Sequence, residues 1–454
     1  MGEFKVPSDM LYGAQTARAI ENFPISGIGI GRELIKALGL IKFCAASVNE
    51  ELMNLDSKLA EMIMSAAREV IDGSLDEHFP VDVFQTGSGT SSNMNVNEVI
   101  ANRAIQLAGG EVGSKIPVHP NDHVNMGQSS NDVFPSAIHI ASLILAKDRL
   151  IPALELLKNA LINKTEQFDQ IIKTGRTHLQ DATPIRLGQE FSGYVSQIDH
   201  GISHLLDSFE HMSELAIGGT AVGTGINTHP EFGKRMAEKL SELTGVHFKE
   251  ATNHFEAQAS QDASVQMSGC LKTIASSLIK IANDIRWLGS GPRLGLGELI
   301  LPEVQPGSSI MPGKVNPVIA ESLIMVCAQV IGNDSAITLG GLYGNFELNV
   351  MLPMIAKNLL EQINLLSNAI ENFSSKLVEG LEANQERIDM MNELSLSLAT
   401  ALAPAIGYDR AALIAKESYE TGKTVRQIAI DRNIVPEDQL NNLLDLRKMT
   451  EPKE

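Results

Sequence analysis

Gln305-Pro306-Gly307-Ser308-Ser309-Ile310-Met311-Pro312-Gly313-Lys314-Val315-Asn316-Pro317 decides how this chain is read. Three prolines and two glycines in this stretch rule out regular helix or strand. Loops of this length inside compact domains are usually functional. Its far end reads as a helix start, with Asn316 as a favoured N-cap and Pro317 suited to the first turn. That puts Lys314 and several unpaired backbone N–H groups at a positive helix terminus, where a carboxylate or phosphate is held. Ser308 and Ser309 lie on a part that the glycines leave free to move. A P-loop needs four residues between its first Gly and Gly-Lys, then Ser or Thr. Here Ser308 to Pro312 intervene and Val315 follows the lysine, so that reading fails. Composition alone also admits an ordinary surface loop.

Outward from the loop the sequence turns helical on both sides. Upstream, Met267, Leu271, Ile274, Leu278, Ile281, Ile285 and Leu288 alternate steps of four and three. Downstream, Leu352, Ile355, Leu359, Ile363, Leu366, Ile370, Phe373 and Leu377 step by threes and fours, and Leu150, Leu154, Leu157 and Leu161 form a third stripe. Such stripes bury one helix face at shallow crossing angles, which predicts an all-α chain with a long central helical bundle. They suit an oligomer and a larger monomeric core equally. Residues 31–74 read as two helices through Leu34, Leu38, Ile41 and Ala45. Gly218-Gly219-Thr220-Ala221-Val222-Gly223-Thr224-Gly225 lies between helical patterns without a preceding strand, which disfavours a dinucleotide fold. Past roughly residue 386 the patterns shorten, around Gly407-Tyr408-Asp409-Arg410 and Gly422-Lys423-Thr424-Val425-Arg426. The expected organisation is an N-terminal helical domain (1–128), a long-helix bundle (129–385) and a small C-terminal helical domain (386–454).

The 454 residues carry 55 acids against 36 bases, a formal net charge of −19. Non-specific nucleic-acid binding rests on positive charge and is not expected. An anionic substrate would need a local cluster of donors, because the overall field repels it. Hydrophobic content of 43% supports a sizeable core. No apolar run approaches the ~18 residues that read as a membrane span, so no membrane is expected. The start, Met1-Gly2-Glu3-Phe4-Lys5-Val6-Pro7, lacks the order of a secretory signal. Cys44, Cys270 and Cys327 lie far apart in apolar patterns. They read as free thiols of a reducing, cytoplasmic compartment, with no cofactor cluster.

Polar clusters interrupt the helices. Gln85-Thr86-Gly87-Ser88-Gly89-Thr90-Ser91-Ser92-Asn93-Met94-Asn95 feeds a helix through Val96, Val99 and Ile100. It reads as a well-capped helix start that also offers hydroxyls and N–H groups to an anion. Gln128-Ser129-Ser130-Asn131-Asp132 repeats that motif. In Val118-His119-Pro120-Asn121-Asp122-His123-Val124-Asn125 the two histidines are four apart. Pro120 opposes a shared helix face and no third ligand is evident, so no metal is expected. Thr174-Gly175-Arg176-Thr177-His178-Leu179-Gln180-Asp181-Ala182-Thr183-Pro184 reads as a connection between long helices. Position alone would leave His178 a solvated surface residue.

The Gly307-to-Pro317 segment resembles the signature of the fumarase/aspartase superfamily, whose members add or eliminate a group across the double bond of fumarate or a fumaryl moiety. The resemblance spans essentially the whole chain, including Tyr12-to-Pro24 and the blocks at Ser88–Asn93, Ser129–Asp132 and Thr177-His178. It implies a fumarase/aspartase-like fold forming the core of a homotetramer, each active site shared by three subunits. It further implies His178, Ser308 and Glu321 as catalytic. Ser88, Gly89, Thr90, Ser129, Ser130, Asn131, Thr177, Ser309, Lys314 and Asn316 become substrate contacts for a small dicarboxylate, without cofactor. His119, Pro120, Asn121 and Asp122 become an accessory dicarboxylate site. Aspartases typically carry Gln where this chain has His178, so the histidine favours exchange of water over ammonia. The chemistry agrees. Expelling hydroxide needs a proton from an acid titrating near neutrality, whereas ammonium leaves already protonated. Recruitment as a silent structural protein is the remaining class, disfavoured by intact His178, Ser308, Lys314 and Asn316.

Overall fold

The computed structural model describes residues 4–452 and is predominantly helical. Met1 to Glu3, part of the segment read for a secretory signal, lie outside the described residues. The three apolar stripes are the buried seams of long helices. Met267 to Leu288 line the helix Asp262–Leu288, and Leu352 to Phe373 line Leu352–Phe373, every stripe position being buried. Leu154, Leu157 and Leu161 do the same for Ile151–Gln167. Each such side chain contributes roughly 1.5–3 kcal/mol on burial, enough for the stripe to set which face turns inward. Two further long helices, Leu187–Met212 and Val318–Gly341, complete the set.

The chain condenses into two compact units that interleave in sequence. One comprises residues up to Pro152 together with Gly201–Ala275 and Val326–Asn368. Within it, helix Arg32–Glu51 packs against Ser57–Asp72, Ser130–Leu145 and Phe232–Thr244. Leu34, Leu38, Ile41 and Ala45 are its buried stripe, as the spacing requires. Asp56 starts the Ser57–Asp72 helix by accepting the N–H groups of Lys58 and Leu59, satisfying donors that a helix start otherwise leaves open. The other unit comprises Ala153–His200, Ser276–Met325 and Ala369 onward. Its C-terminal part has its own apolar cluster of Leu398, Leu402, Ile414, Val425, Ile428, Leu440 and Leu444.

Two sequence expectations need correction. The 174–184 connection is an antiparallel hairpin of Ile172–Thr177 with Gln180–Arg186. The polar, Gly- and Pro-containing sequence hides it. Its ladder tolerates Pro184 late in the second strand and a register shift between Thr174 and Arg176, a bulge of the kind that re-aims a strand end. The second correction concerns hydropathy. Helix Val318–Gly341 is long and apolar enough, by length and composition, to cross a membrane. Only 39% of its most apolar window is buried within the chain, and Met325 and Leu339 stand exposed on it.

Candidate active site

The Ser88 and Ser130 segments meet. Ser88 Oγ lies 2.9 Å from Thr90 Oγ1, which lies 2.8 Å from Ser130 Oγ. Both segments are helix starts. Thr90–Leu107 begins after Gly89, which has no side chain to cap it. Gln85 Oε1 accepts Ser92 N at 3.0 Å, leaving the Thr90 and Ser91 N–H groups beside three hydroxyls, an arrangement that favours an anion. Gly89 is left-handed (φ 73°), and a Cβ there would lie 2.1 Å from the Phe134 ring. Only glycine permits this approach. Ser130–Leu145 is closed by a capping box, Ser129 accepting from its first turn and Asp132 accepting from Ser129 N. Ser129 Oγ is therefore spent on the cap. Asn131 instead donates to the Ala221 carbonyl at 2.7 Å, tying down the glycine-rich 218–225 loop. Asp132 also takes the N–H groups of Gly218 and Thr220. Burial pushes its carboxyl up to about 6 against those three donors.

In the 305–317 loop Ser308 Oγ accepts the N–H groups of Ile310 (3.3 Å) and Met311 (3.0 Å). Two donors on one hydroxyl oxygen favour its deprotonated form. Gly307 N donates to Lys314 O at 2.8 Å, pinching the loop at its base. A Cβ on Gly307 would fall 2.4 Å from that carbonyl. Asn316 is not the N-cap expected from its type. Its Nδ2 donates across the base to Gly307 O at 2.7 Å, and helix Val318–Gly341 starts two residues later. The helix begins one residue later than the sequence suggests, so Pro317 and not Asn316 directly precedes it. Lys314, Asn316 and Glu321 line one cavity of about 770 Å³, with Arg286, Trp287 and Asn384. Ser309, Ile310, Met311 and Lys314 are exposed, Ile310 to 84%.

His178 occupies the two-residue tip of the hairpin, next to Thr177, which pairs with Gln180. His178 (φ 56°) and Leu179 (φ 61°) are both left-handed. This turn normally takes Asn-Gly or Asp-Gly, so the histidine is held at a cost of order 1–3 kcal/mol. What over-determines the position is a buried ion cluster beneath it. Glu298 meets Arg176 at 2.7 Å and Lys173 at 3.2 Å, and Lys173 also meets Glu190 at 3.3 Å. Asn392 adds bonds to Ile172 O and Thr174 Oγ1. Among the described residues, no hydrogen bond or ion pair joins His178 to Ser308, Lys314 or Glu321 within the chain. Neither His178 nor Glu321 has any side-chain partner there.

His119, Pro120, Asn121 and Asp122 form a single tight turn. His119 Nδ1 accepts from Asn121 N and Asp122 N and lies 3.3 Å from Asp122 Oδ2. His123 Nδ1 accepts from His119 N, so neither ring is splayed outward as a chelating pair. Pro120 and Asn121 line a separate cavity with Thr86 and Ser91. Among the described residues no group of three metal-binding side chains converges. Cys44 and Cys327 are buried and their thiols pushed up to about 12 by desolvation, which leaves them unreactive.

Three features escaped the sequence reading: the Lys173–Arg176–Glu298 cluster, the Gly218–Thr220 cover on Asp132, and Lys42. Lys42 had a legible signal, being a lysine one step from Ile41 and four from Leu38 on an apolar face.

Known proteins resemble the chain over nearly its full length. A lyase family model matches residues 2–332, and a fumarase C C-terminal model matches 398–451. The chain is 54% identical to a class II fumarate hydratase of Nitrosomonas europaea, over 99% of this chain and 98% of that protein. It is 54% identical to the mitochondrial fumarate hydratase of Homo sapiens, over 100% of this chain and 89% of that one. Among solved structures, the class II fumarase of Schistosoma mansoni superposes with a TM-score of 0.97 at 41% identity, covering 100% of this chain and 98% of that one.

Proposed function

This chain belongs to the lyase family of the class II fumarate hydratases, and from that membership we propose how its residues carry the reaction. The reaction is the reversible, stereospecific hydration of fumarate to L-malate, a step of the tricarboxylic acid cycle. In the dehydrating direction Ser308 removes the proton from the carbon beside one carboxylate of malate. The electron pair delocalises into that carboxylate as a dianionic aci-form, stabilised by Lys314, Asn316 and loop N–H groups where the charge grows. His178 protonates the departing hydroxyl, through a water, and it leaves as water. Glu321 orients His178. Ser88, Thr90, Ser130 and Asn131 hold the second carboxylate, with Gly89, Ser129, Thr177 and Ser309 completing the surround. His119 to Asp122 form an accessory dicarboxylate site. The two N–H groups on Ser308 Oγ support the base assignment, because a serine is too weak a base without activation.

The observation that carries the reading is His178, a proton donor kept in a left-handed turn at an exposed tip. The direct test is absorbance at the fumarate band on mixing with L-malate, then with L-aspartate. A signal with malate alone is expected; one with aspartate alone would make the chain an ammonia-lyase.

The assembly in this proposal is a homotetramer whose sites draw on three subunits, with no nucleic acid or membrane partner. It is supported by His178 and Glu321, which have no side-chain partner among the described residues of their own chain, and by the apolar face exposed on Val318–Gly341. The three-part organisation at 1–128, 129–385 and 386–454 draws support from the separate C-terminal match. Three free thiols support a reducing, cytoplasmic setting. If Glu321 orients His178, Glu321→Gln is expected to shift the pH–rate profile on the limb where His178 acts. An unchanged profile would remove Glu321 from the mechanism.

A further inference from the structure

We infer that Lys42 is a positioning residue of the anion subsite made by Ser88, Thr90 and Ser130, a reading that rests on that subsite receiving a substrate carboxylate. Lys42 lies inside helix Arg32–Glu51 and is fully buried. Its Nζ donates to three side-chain carbonyls: Asn93 Oδ1 at 2.8 Å, Asn125 Oδ1 at 3.0 Å and Gln128 Oε1 at 2.9 Å. All three ammonium protons are accounted for, and every acceptor is a neutral amide.

That choice of partners is unusual. Buried charges are ordinarily paired with an opposite charge, and here none of the described carboxylates makes an ion pair with Lys42. Asp132 acts on it only at longer range, its own oxygens being occupied by Ser129, Gly218 and Thr220 N–H groups. The cation is therefore hydrogen-bonded but not neutralised in contact. Burial pushes the ammonium down to about 7, as expected of a charge still short of an anion.

The acceptors are placed where they matter. Asn93 lies one helical turn after Thr90, and Gln128 two residues before Ser130. Thr90 and Ser130 are the two hydroxyls that touch across the subsite. Lys42 thus staples together the two segments that supply them. Asn125 reinforces the staple by accepting from Asn93 Nδ2 and Asn97 Nδ2 while donating to Gln128 O. Gln128 Nε2 is fixed by the carbonyls of Val124 and Met126. Backbone carbonyls hold the amide nitrogens of Asn125 and Gln128, and the Asn93 amide nitrogen is held by Asn125 Oδ1, so all three oxygens are turned toward the lysine. A carboxylate entering the hydroxyl cluster then meets a site whose two supporting segments are already held in place.

The test is Lys42→Met, which keeps the side-chain length and removes the donors. KM for fumarate and for L-malate, and Kd for the unreactive dianion succinate, are expected to rise about tenfold or more, with kcat falling less than about threefold. Sedimentation and thermal melting establish that the assembly persists. A folded K42M protein with unchanged succinate Kd, or with kcat lost at constant KM, overturns the inference. Should K42M fail to fold, Gln128→Met cuts one arm of the staple and leaves the lysine. It is expected to weaken succinate about threefold, and an unchanged Kd would be contrary. Thr90→Val in the same assay separates the two levels of the argument. If T90V leaves succinate binding intact, the subsite itself is wrong. If T90V weakens it and K42M does not, only the role of Lys42 falls.

Discussion

Replacing Ser308 with alanine is expected to lower kcat by about 10²–10⁴-fold in both directions, the range of a lost general base, while KM changes only a few-fold. The hydroxyl is the only group of its side chain, and its oxygen is the acceptor for Ile310 and Met311 N–H. Those donors stabilise an oxyanion more than a hydroxyl, so the arrangement makes sense for an oxygen that cycles between the two. Alanine leaves the backbone pinch between Gly307 and Lys314 in place, which is why binding survives. Exchange of the malate C3 proton with solvent should disappear together with turnover. Near-normal turnover would refute the assignment.

The second large effect belongs to His178→Asn, with kcat reduced by about 10²–10⁴-fold and, unusually for an active-site change, no loss of stability. Asparagine adopts the left-handed region more readily than histidine, and the tip at 178 and 179 is the position of a hairpin where it is preferred. The variant should melt at the wild-type temperature or slightly above it, since strain kept for function is released. Proton exchange at malate C3 should outlast net dehydration, because the acid is needed only for the departing hydroxyl. Retained kcat in H178N would remove the histidine from the chemistry.

The architecture was legible because long helices write their buried face into the sequence at fixed spacing. Met267 to Leu288 and Leu352 to Phe373 leave little choice of element, and the structure buries every position of both stripes. The hairpin was not legible. Its inner residues are Lys173, Thr174 and Gly175, and what holds them is an ion cluster with Glu298 and bonds to Asn392, more than a hundred residues away. No local pattern encodes such partners. Asn316 shows the same limit from the other side. Residue type predicted a cap, but the helix starts one residue later, and the amide instead donates to a carbonyl nine positions back. The Ser88–Thr90–Ser130 convergence was half visible. Each helix start could be read from its hydroxyls, whereas their contact depends on how Arg32–Glu51 brings the two segments together.

Helix Val318–Gly341 shows why hydropathy must be weighed with context. It passes a length-and-composition test for a membrane span, yet it carries Asn333 and Asp334, both buried. Asp334 accepts Ser268 Oγ at 2.8 Å, a polar contact made to a protein neighbour. In the proposed assembly its exposed Met325 and Leu339 are covered by other copies of the chain, as expected of a seam between subunits.

The central claim is that one site is assembled from different copies of this chain, and mixing two inactive variants tests it most directly. H178N and S308A proteins are unfolded together in equal amounts, refolded, and assayed for malate dehydration beside each variant treated alone. Random reassembly gives a quarter of the sites an intact histidine from one chain and an intact serine from another, so about a quarter of wild-type activity is predicted. If the mixture reassembles into hybrids and stays as inactive as its parents, both residues act from the same polypeptide and the account is contradicted.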